Sequence, residues 1–110
     1  EDTQSPYYLH HNDTLNLVLV SELLTDENYL TWSRSMLLAL SIRKKLGFVD
    51  VRIPQPTGEL LSLWKRNNHM VIAWILNSVS KGISSSIMFT DSTQAIWEDL
   101  KDRFQKRNEP

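Results

Sequence analysis

The 110-residue chain contains no cysteine. That excludes a disulfide framework, a thiolate zinc site and a cysteine nucleophile. Glycine occurs only three times, never in a phosphate-cradling pattern, so nothing points to mononucleotide chemistry. No apolar run reaches the roughly 18 residues that a membrane span requires, and the acidic, polar start does not read as a signal peptide. Neither sign of charge dominates. Twelve Lys and Arg face 13 Asp and Glu, for a formal net charge of −1, which does not predict strong nucleic-acid binding by the whole domain. The chain does have apolar and aromatic mass: 41% hydrophobic residues, including four tryptophans. Each buried aromatic removes roughly 150–250 Å² from water, so these residues can organise one core in a chain whose length suggests one domain.

The most organised stretch is residues 26–40. Tyr29, Trp32, Met36 and Leu40 recur at spacings of three and four, which places them on one helical face. Leu37 widens that face, and Ser33 and Arg34 fall on the other side. Thr25 or Asp26 is suited to cap this helix, and Glu27 to complement its dipole. Arg43, Lys44 and Lys45 are expected in its last turn, with Gly47 as the left-handed stop.

Elsewhere the pattern is shorter-ranged. Residues 1–14 read as a partly ordered segment in which Tyr7, Tyr8 and Leu9 dock on the body. His10-His11 has no partner at ligand spacing and is not read as a metal site. Residues 15–20 suggest a short extended element, with a short helix as the alternative; Val18, Val20 and Leu23 or Leu24 would pack under the aromatic helix. Pro54 and Pro56 make residues 48–58 a connector pinned by Phe48 and Ile53. A second helix is predicted over about 59–79, with Trp64, Val71, Trp74 and Ile75 on its face, a polar patch at 65–68, and Gly82 as its C-terminal signal. Ile83, Ile87 and Met88 point inward from a short helix or turn. The serines at 84–86 lack the setting of a nucleophile. A last helix starts near Asp91, Ser92 or Thr93 and buries Ala95, Ile96, Trp97, Leu100 and Phe104. Asp99 and Arg103 form a favourable pair on its outer side. The close at 108–110 reads as the start of a linker.

Several segments, in order, carry a resemblance. They are Ser5-Pro6-Tyr7-Tyr8-Leu9-His10, Leu19-Val20-Ser21-Glu22-Leu23-Leu24, Asn28-Tyr29-Leu30-Thr31-Trp32-Ser33-Arg34-Ser35-Met36 and Lys45-Leu46-Gly47-Phe48-Val49-Asp50. Trp64-Lys65-Arg66-Asn67-Asn68, Trp74-Ile75-Leu76-Asn77-Ser78 and Ala95-Ile96-Trp97-Glu98-Asp99-Leu100 continue it. Together they resemble the N-terminal part of the Gag polyprotein of plant copia-type LTR retrotransposons. Val51 departs from the family pattern, which has glycine after the Phe-Val-Asp run. The resemblance implies the N-terminal domain of a capsid that assembles into cytoplasmic virus-like particles around the element's RNA. It also implies a second helical domain and a zinc knuckle downstream, with most RNA contact made there.

The expected fold is therefore mainly α: a compact bundle of about four or five helices with a short extended or β-like N-terminal element, over residues 15–107. Asn28, Tyr29, Trp32, Met36, Trp64, Trp74, Trp97, Leu100 and Phe104 form its signature and core. No catalytic constellation, cofactor site, small-molecule substrate or membrane contact is indicated. The expected partner is the chain itself, through repeated weak contacts. Candidate assembly residues are Tyr7, Tyr8, Pro54, Pro56, Lys65 and Arg66. Candidate RNA contacts are Arg43, Lys44, Lys45, Lys101, Arg103, Lys106 and Arg107. A Gag-derived protein-binding module and a weak RNA-binding domain are the alternatives to an assembly domain.

Overall fold

A computed structural model describes residues 2–10, 13 and 19–108. Four α-helices run through them: α1 (Tyr29–Ile42), α2 (Leu61–Leu76), α3 (Lys81–Ile87) and α4 (Thr93–Asn108). Two 3-10 turns, Leu46–Phe48 and Gly58–Leu60, lie in the connector between α1 and α2. The fold is thus a small helical bundle, as the apolar spacing predicts. Most of the expected extended element at 15–20 lies outside the described residues. Among the described residues there is no strand, and Leu24 and Val79 form one isolated parallel bridge.

The α1 face forms as its spacing demands: Tyr29, Trp32, Met36 and Leu40 are all buried. Trp32 stacks on Trp97 of α4, with ring centroids 5.5 Å apart and planes 23° from parallel. Val71, Trp74 and Ile75 from α2 and Ile96, Leu100 and Phe104 from α4 complete the core. Of the residues expected beneath α1, Leu24 is fully buried, Val20 packs against the core and Leu23 is exposed; Val18 lies outside the described residues. Ala95 and Met88, both expected inside, are exposed.

One backbone atom gathers three elements. The Ser78 carbonyl accepts the Trp32 indole N–H at 2.7 Å and the Leu24 N–H at 2.9 Å. The Leu24 carbonyl in turn accepts from Ser80 N–H at 2.9 Å. This geometry requires α2 to end early. It stops at Leu76 rather than near residue 79, and the Ser78 hydroxyl donates back to the Trp74 carbonyl at 2.6 Å. Gly82 therefore does not terminate α2; it lies inside α3.

The ends of α1 also differ from expectation. The helix begins at Tyr29, so Glu27 is outside its first turn, and neither Thr25 nor Asp26 occupies the N-cap position. Asn28 does, but its side chain braces the preceding turn: Oδ1 accepts from Thr25 N–H at 2.8 Å and Nδ2 donates to the Leu23 carbonyl at 2.9 Å. At the other end the helix closes at Ile42. Lys44 adopts the left-handed conformation at φ 63°, Lys44 N–H bonds Ser41 carbonyl at 3.0 Å and Lys45 N–H bonds Leu40 carbonyl at 2.9 Å. This is a Schellman closure with lysine where glycine is usual. Gly47 is required for another reason: a Cβ there would stand 2.5 Å from Ile53 Cγ1. Its bare backbone lets Ile53 pack down, and the Gly47 carbonyl accepts the Ile53 N–H at 3.0 Å. The Trp64 indole ties off the same connector by donating to the Ile53 carbonyl at 3.0 Å.

Val51, the position that departs from the Gag pattern, has φ 58°. A β-branched residue in that region crowds its own carbonyls, whereas glycine does not. Val51→Gly is therefore expected to raise stability by about 1 kcal/mol, visible as a higher urea midpoint; an unchanged or lower midpoint would count against the strain. Trp32→Ala is expected to lower stability by about 3–5 kcal/mol, because it removes both the stack and the Ser78 tie. An unchanged thermal midpoint would show that Trp32 is not a core anchor.

Candidate functional site: the N-terminal clasp and the outer surface

The N-terminal segment docks through its backbone. The Lys45 ammonium donates to the Pro6 carbonyl at 2.7 Å and the Tyr8 carbonyl at 2.8 Å. Between them, Asn67 Nδ2 donates to the Tyr7 carbonyl at 3.0 Å. Three successive carbonyls are thus held by α2 and the turn after α1. Further along, the Trp74 indole donates to the Asp13 carbonyl at 3.2 Å. The Asp13 carboxylate pairs with Arg43 at 2.8 Å, and the Arg43 guanidinium lies 5.3 Å from the centre of the Trp74 ring. Within the segment, His10 N–H donates to Asp13 Oδ2 at 3.0 Å.

This clasp corrects two expectations. Lys45, read as a candidate RNA contact, is fully buried with its donors turned inward on carbonyls. Burial pushes its pKa down to about 8, partly opposed by the nearby Asp13 carboxylate. Asn67 and Asn68, read as part of a surface patch, are also buried. Asn68 joins α2 to the start of α4: Oδ1 accepts from the Thr93 hydroxyl at 2.8 Å and Nδ2 donates to the Asp91 carbonyl at 3.1 Å. Ser92 caps α4 as predicted, accepting from Ala95 N–H at 3.2 Å. Only Lys65 and Arg66 of the 65–68 patch face solvent.

The remaining basic residues divide. Arg43 is engaged with Asp13. Arg103 makes two bonds to Asp99, at 2.9 and 2.8 Å, and a third to the Ser86 hydroxyl at 2.6 Å. Lys44, Lys101, Lys106 and Arg107 are exposed, with Arg107 4.0 Å from Asp26. Tyr7, Tyr8 and Arg66 meet in a groove of about 450 Å³, together with Leu60 and Leu63. Pro54 is exposed and Pro56 half-buried, and neither lines that groove. The serine run is used locally: Ser85 and Ser86 donate to the Lys81 and Ile83 carbonyls of their own helix. Of the histidine pair, His10 is exposed and His11 lies outside the described residues. Among the described residues, no group of three His, Asp or Glu could hold a metal ion, and no helix is long and apolar enough to cross a membrane.

Sequence reasoning missed one surface feature, Phe89, which is 96% exposed. Nothing in its local spacing marks it, because it stands in the turn between α3 and α4 and belongs to no helical face.

The Lys45 clasp has a pH signature. A lysine whose folded-state pKa is lowered holds its proton less tightly in the native state than in the unfolded chain. Between pH 8 and the unfolded value, the unfolded state binds more protons, so stability rises with pH. From pH 8 to pH 9.5 the wild-type urea free energy is expected to increase by about 1–2 kcal/mol from this group. The increase should be absent in Lys45→Met. A flat wild-type profile would show that the ammonium is not desolvated.

Comparison with known proteins agrees with the sequence resemblance. Residues 10–57 match the family described as Gag-polypeptide of LTR copia-type. Over 89 residues, 71% of the chain, it is 25% identical to the Retrovirus-related Pol polyprotein from transposon RE2 of Arabidopsis thaliana. It spans only 6% of that polyprotein's length. No solved structure matches it significantly. The aromatic helix α1, the Schellman turn and the Gly47 connector all fall within the matched residues, so the similarity to copia-type Gag rests on this part of the chain.

Proposed function

We propose that this domain is a structural capsid domain of Gag, which self-associates to build cytoplasmic virus-like particles enclosing the element's RNA. The observation that carries the reading is the copia-type Gag match over residues 10–57, which include the aromatic helix α1 of the bundle. The family is structural rather than catalytic, and the polar chemistry of this chain suits that role. Of its buried polar side chains, Lys45, Asn67, Asn68, Ser78 and Thr93 bond to backbone and Asp13 pairs with Arg43, and together they rigidify the body. A rigid subunit suits assembly, in which many weak contacts act together and each need only be modest.

RNA binding by this domain is not the reading adopted. Of the seven candidate basic residues, Lys45 is buried, and Arg43 and Arg103 are committed to carboxylates. RNA contact is assigned instead mainly to downstream regions of Gag.

Light scattering across a concentration series, with electron microscopy of the most concentrated sample, tests the proposal. Rings, tubes or a mass that grows with concentration are the expected outcome. A strict monomer, in this chain and in a longer Gag segment, would contradict it. If RNA is retained instead, with affinity falling steeply as salt rises, the phosphate-binding alternative replaces it.

A further inference from the structure

The N-terminal segment is bonded to itself as well as to the body. Ser5 N–H donates to the Asp2 carbonyl at 3.1 Å, Tyr8 N–H to the Ser5 carbonyl at 3.0 Å and Asp13 N–H to the His10 carbonyl at 2.9 Å. Side chains brace the same turns. Tyr7 N–H donates to Ser5 Oγ at 3.1 Å, and the Tyr8 and His10 rings meet edge to face with centroids 4.6 Å apart. Among the described residues, no backbone–backbone hydrogen bond joins this segment to the body. The body holds it with side-chain donors instead: Lys45, Asn67 and Trp74 on carbonyls, and Arg43 on the Asp13 carboxylate. An internally bonded piece of chain thus sits in a receptor made of side chains.

Two features make this docking exchangeable. Every contact ends on the segment's own atoms, so the identical segment of another copy makes all of them. A swapped arrangement loses none, which is why exchange of identical elements is a low-cost route to dimers. The second feature is an unmet acceptor: docking leaves Asn67 Oδ1 buried with no hydrogen-bond partner. That oxygen regains water when the segment lifts, which recovers part of the cost of undocking. The choice between a chain's own segment and a neighbour's is then set by concentration. A short tether holds the segment at an effective concentration on the order of 1 mM. Dilute chains clasp their own segment. Chains packed side by side in a particle meet a neighbour's segment at a comparable or higher concentration.

We propose that the N-terminal segment is an exchangeable arm, which docks on Arg43, Lys45, Asn67 and Trp74 of a neighbouring copy when subunits are crowded. The receptor of one chain is then completed by Asp13 and the carbonyls of another. The inference rests on the assembly reading above and gives it a specific link between subunits.

The Asp13–Arg43 pair supplies the test, because it has a side chain on each side of the contact. Asp13→Lys and Arg43→Glu each place like charges in their own clasp. Mixed in equal amounts, the two variants complement each other: a reciprocal exchange gives one clasp with the native pair and one with the pair reversed. Sedimentation equilibrium should show the mixture dimerising about 10-fold more tightly, or better, than either variant alone. The double variant Asp13→Lys/Arg43→Glu restores a pair within one chain and should stay monomeric at the same concentration. A mixture that associates no better than its components overturns the arm.

A second measurement uses native clasps and decides the matter even if the charge variants fail to fold. The chain has no cysteine, so Gln4→Cys, at an exposed position, takes a single nitroxide label. This copy is mixed with isotope-labelled wild type at a total concentration on the order of 1 mM or above. Exchange should broaden the amide resonances around Lys45 and Asn67 of the isotope-labelled copy. Unchanged linewidths there overturn the arm. Mass that grows with concentration while those linewidths stay unchanged removes the arm and leaves the assembly reading standing; a strict monomer with unchanged linewidths counts against both.

Discussion

The structure depends on the carbonyl of Ser78. It accepts one hydrogen bond from the Trp32 indole and another from the Leu24 backbone. The incoming chain, the aromatic helix and the end of α2 meet there, in a region closed to water. A buried carbonyl with unmet capacity costs free energy, and a buried indole N–H does too; pairing them removes both penalties together. The Trp32–Trp97 stack then carries the same tie across to α4. Truncating α2 at Leu76 is what frees the carbonyl to face inward.

A second theme is that polar side chains hold backbone rather than ligands. Lys45, Asn67 and Trp74 grip the N-terminal segment by its carbonyls, and Asn68 grips the start of α4. Recognition of this kind does not depend on the identity of the side chains in the gripped segment. It leaves those side chains, Tyr7 and Tyr8 among them, free to line the outer groove with Arg66. The consequence for function is a body whose interior polar groups, apart from the unpartnered Asn67 Oδ1, are committed, and whose exterior carries the apolar features available for association.

The connector after α1 shows that positive φ alone does not set the demand for glycine; close packing can. Lys44 and Val51 adopt positive φ without being glycine, whereas Gly47 does not adopt it and is needed for space against Ile53. Lysine tolerates the Schellman position because two backbone hydrogen bonds close around it. Val51 keeps the turn at the cost of local strain, and the Gag-pattern glycine at that place would relieve it.

The sequence by itself determined the helices and their buried faces, because periodic apolar spacing is a local property: Tyr29, Trp32, Met36 and Leu40 need only the pitch of a helix to align. It also carried the Gag resemblance. It could not determine where the helices stop, because the stops answer to distant partners. Gly47 and Gly82 resembled terminators, yet α1 closes at a left-handed lysine and α2 closes where Ser78 must reach Leu24, 54 residues earlier in the chain. Nor could it show which polar residues are interior. Lys45, Asn67 and Asn68 have the composition of a surface, and only the tertiary structure, by laying the N-terminal segment and the start of α4 over them, supplies the carbonyls that make their burial tolerable. Phe89 is the converse: an apolar residue left outside because the α3–α4 turn offers it no neighbour, a fact of packing that no local pattern encodes.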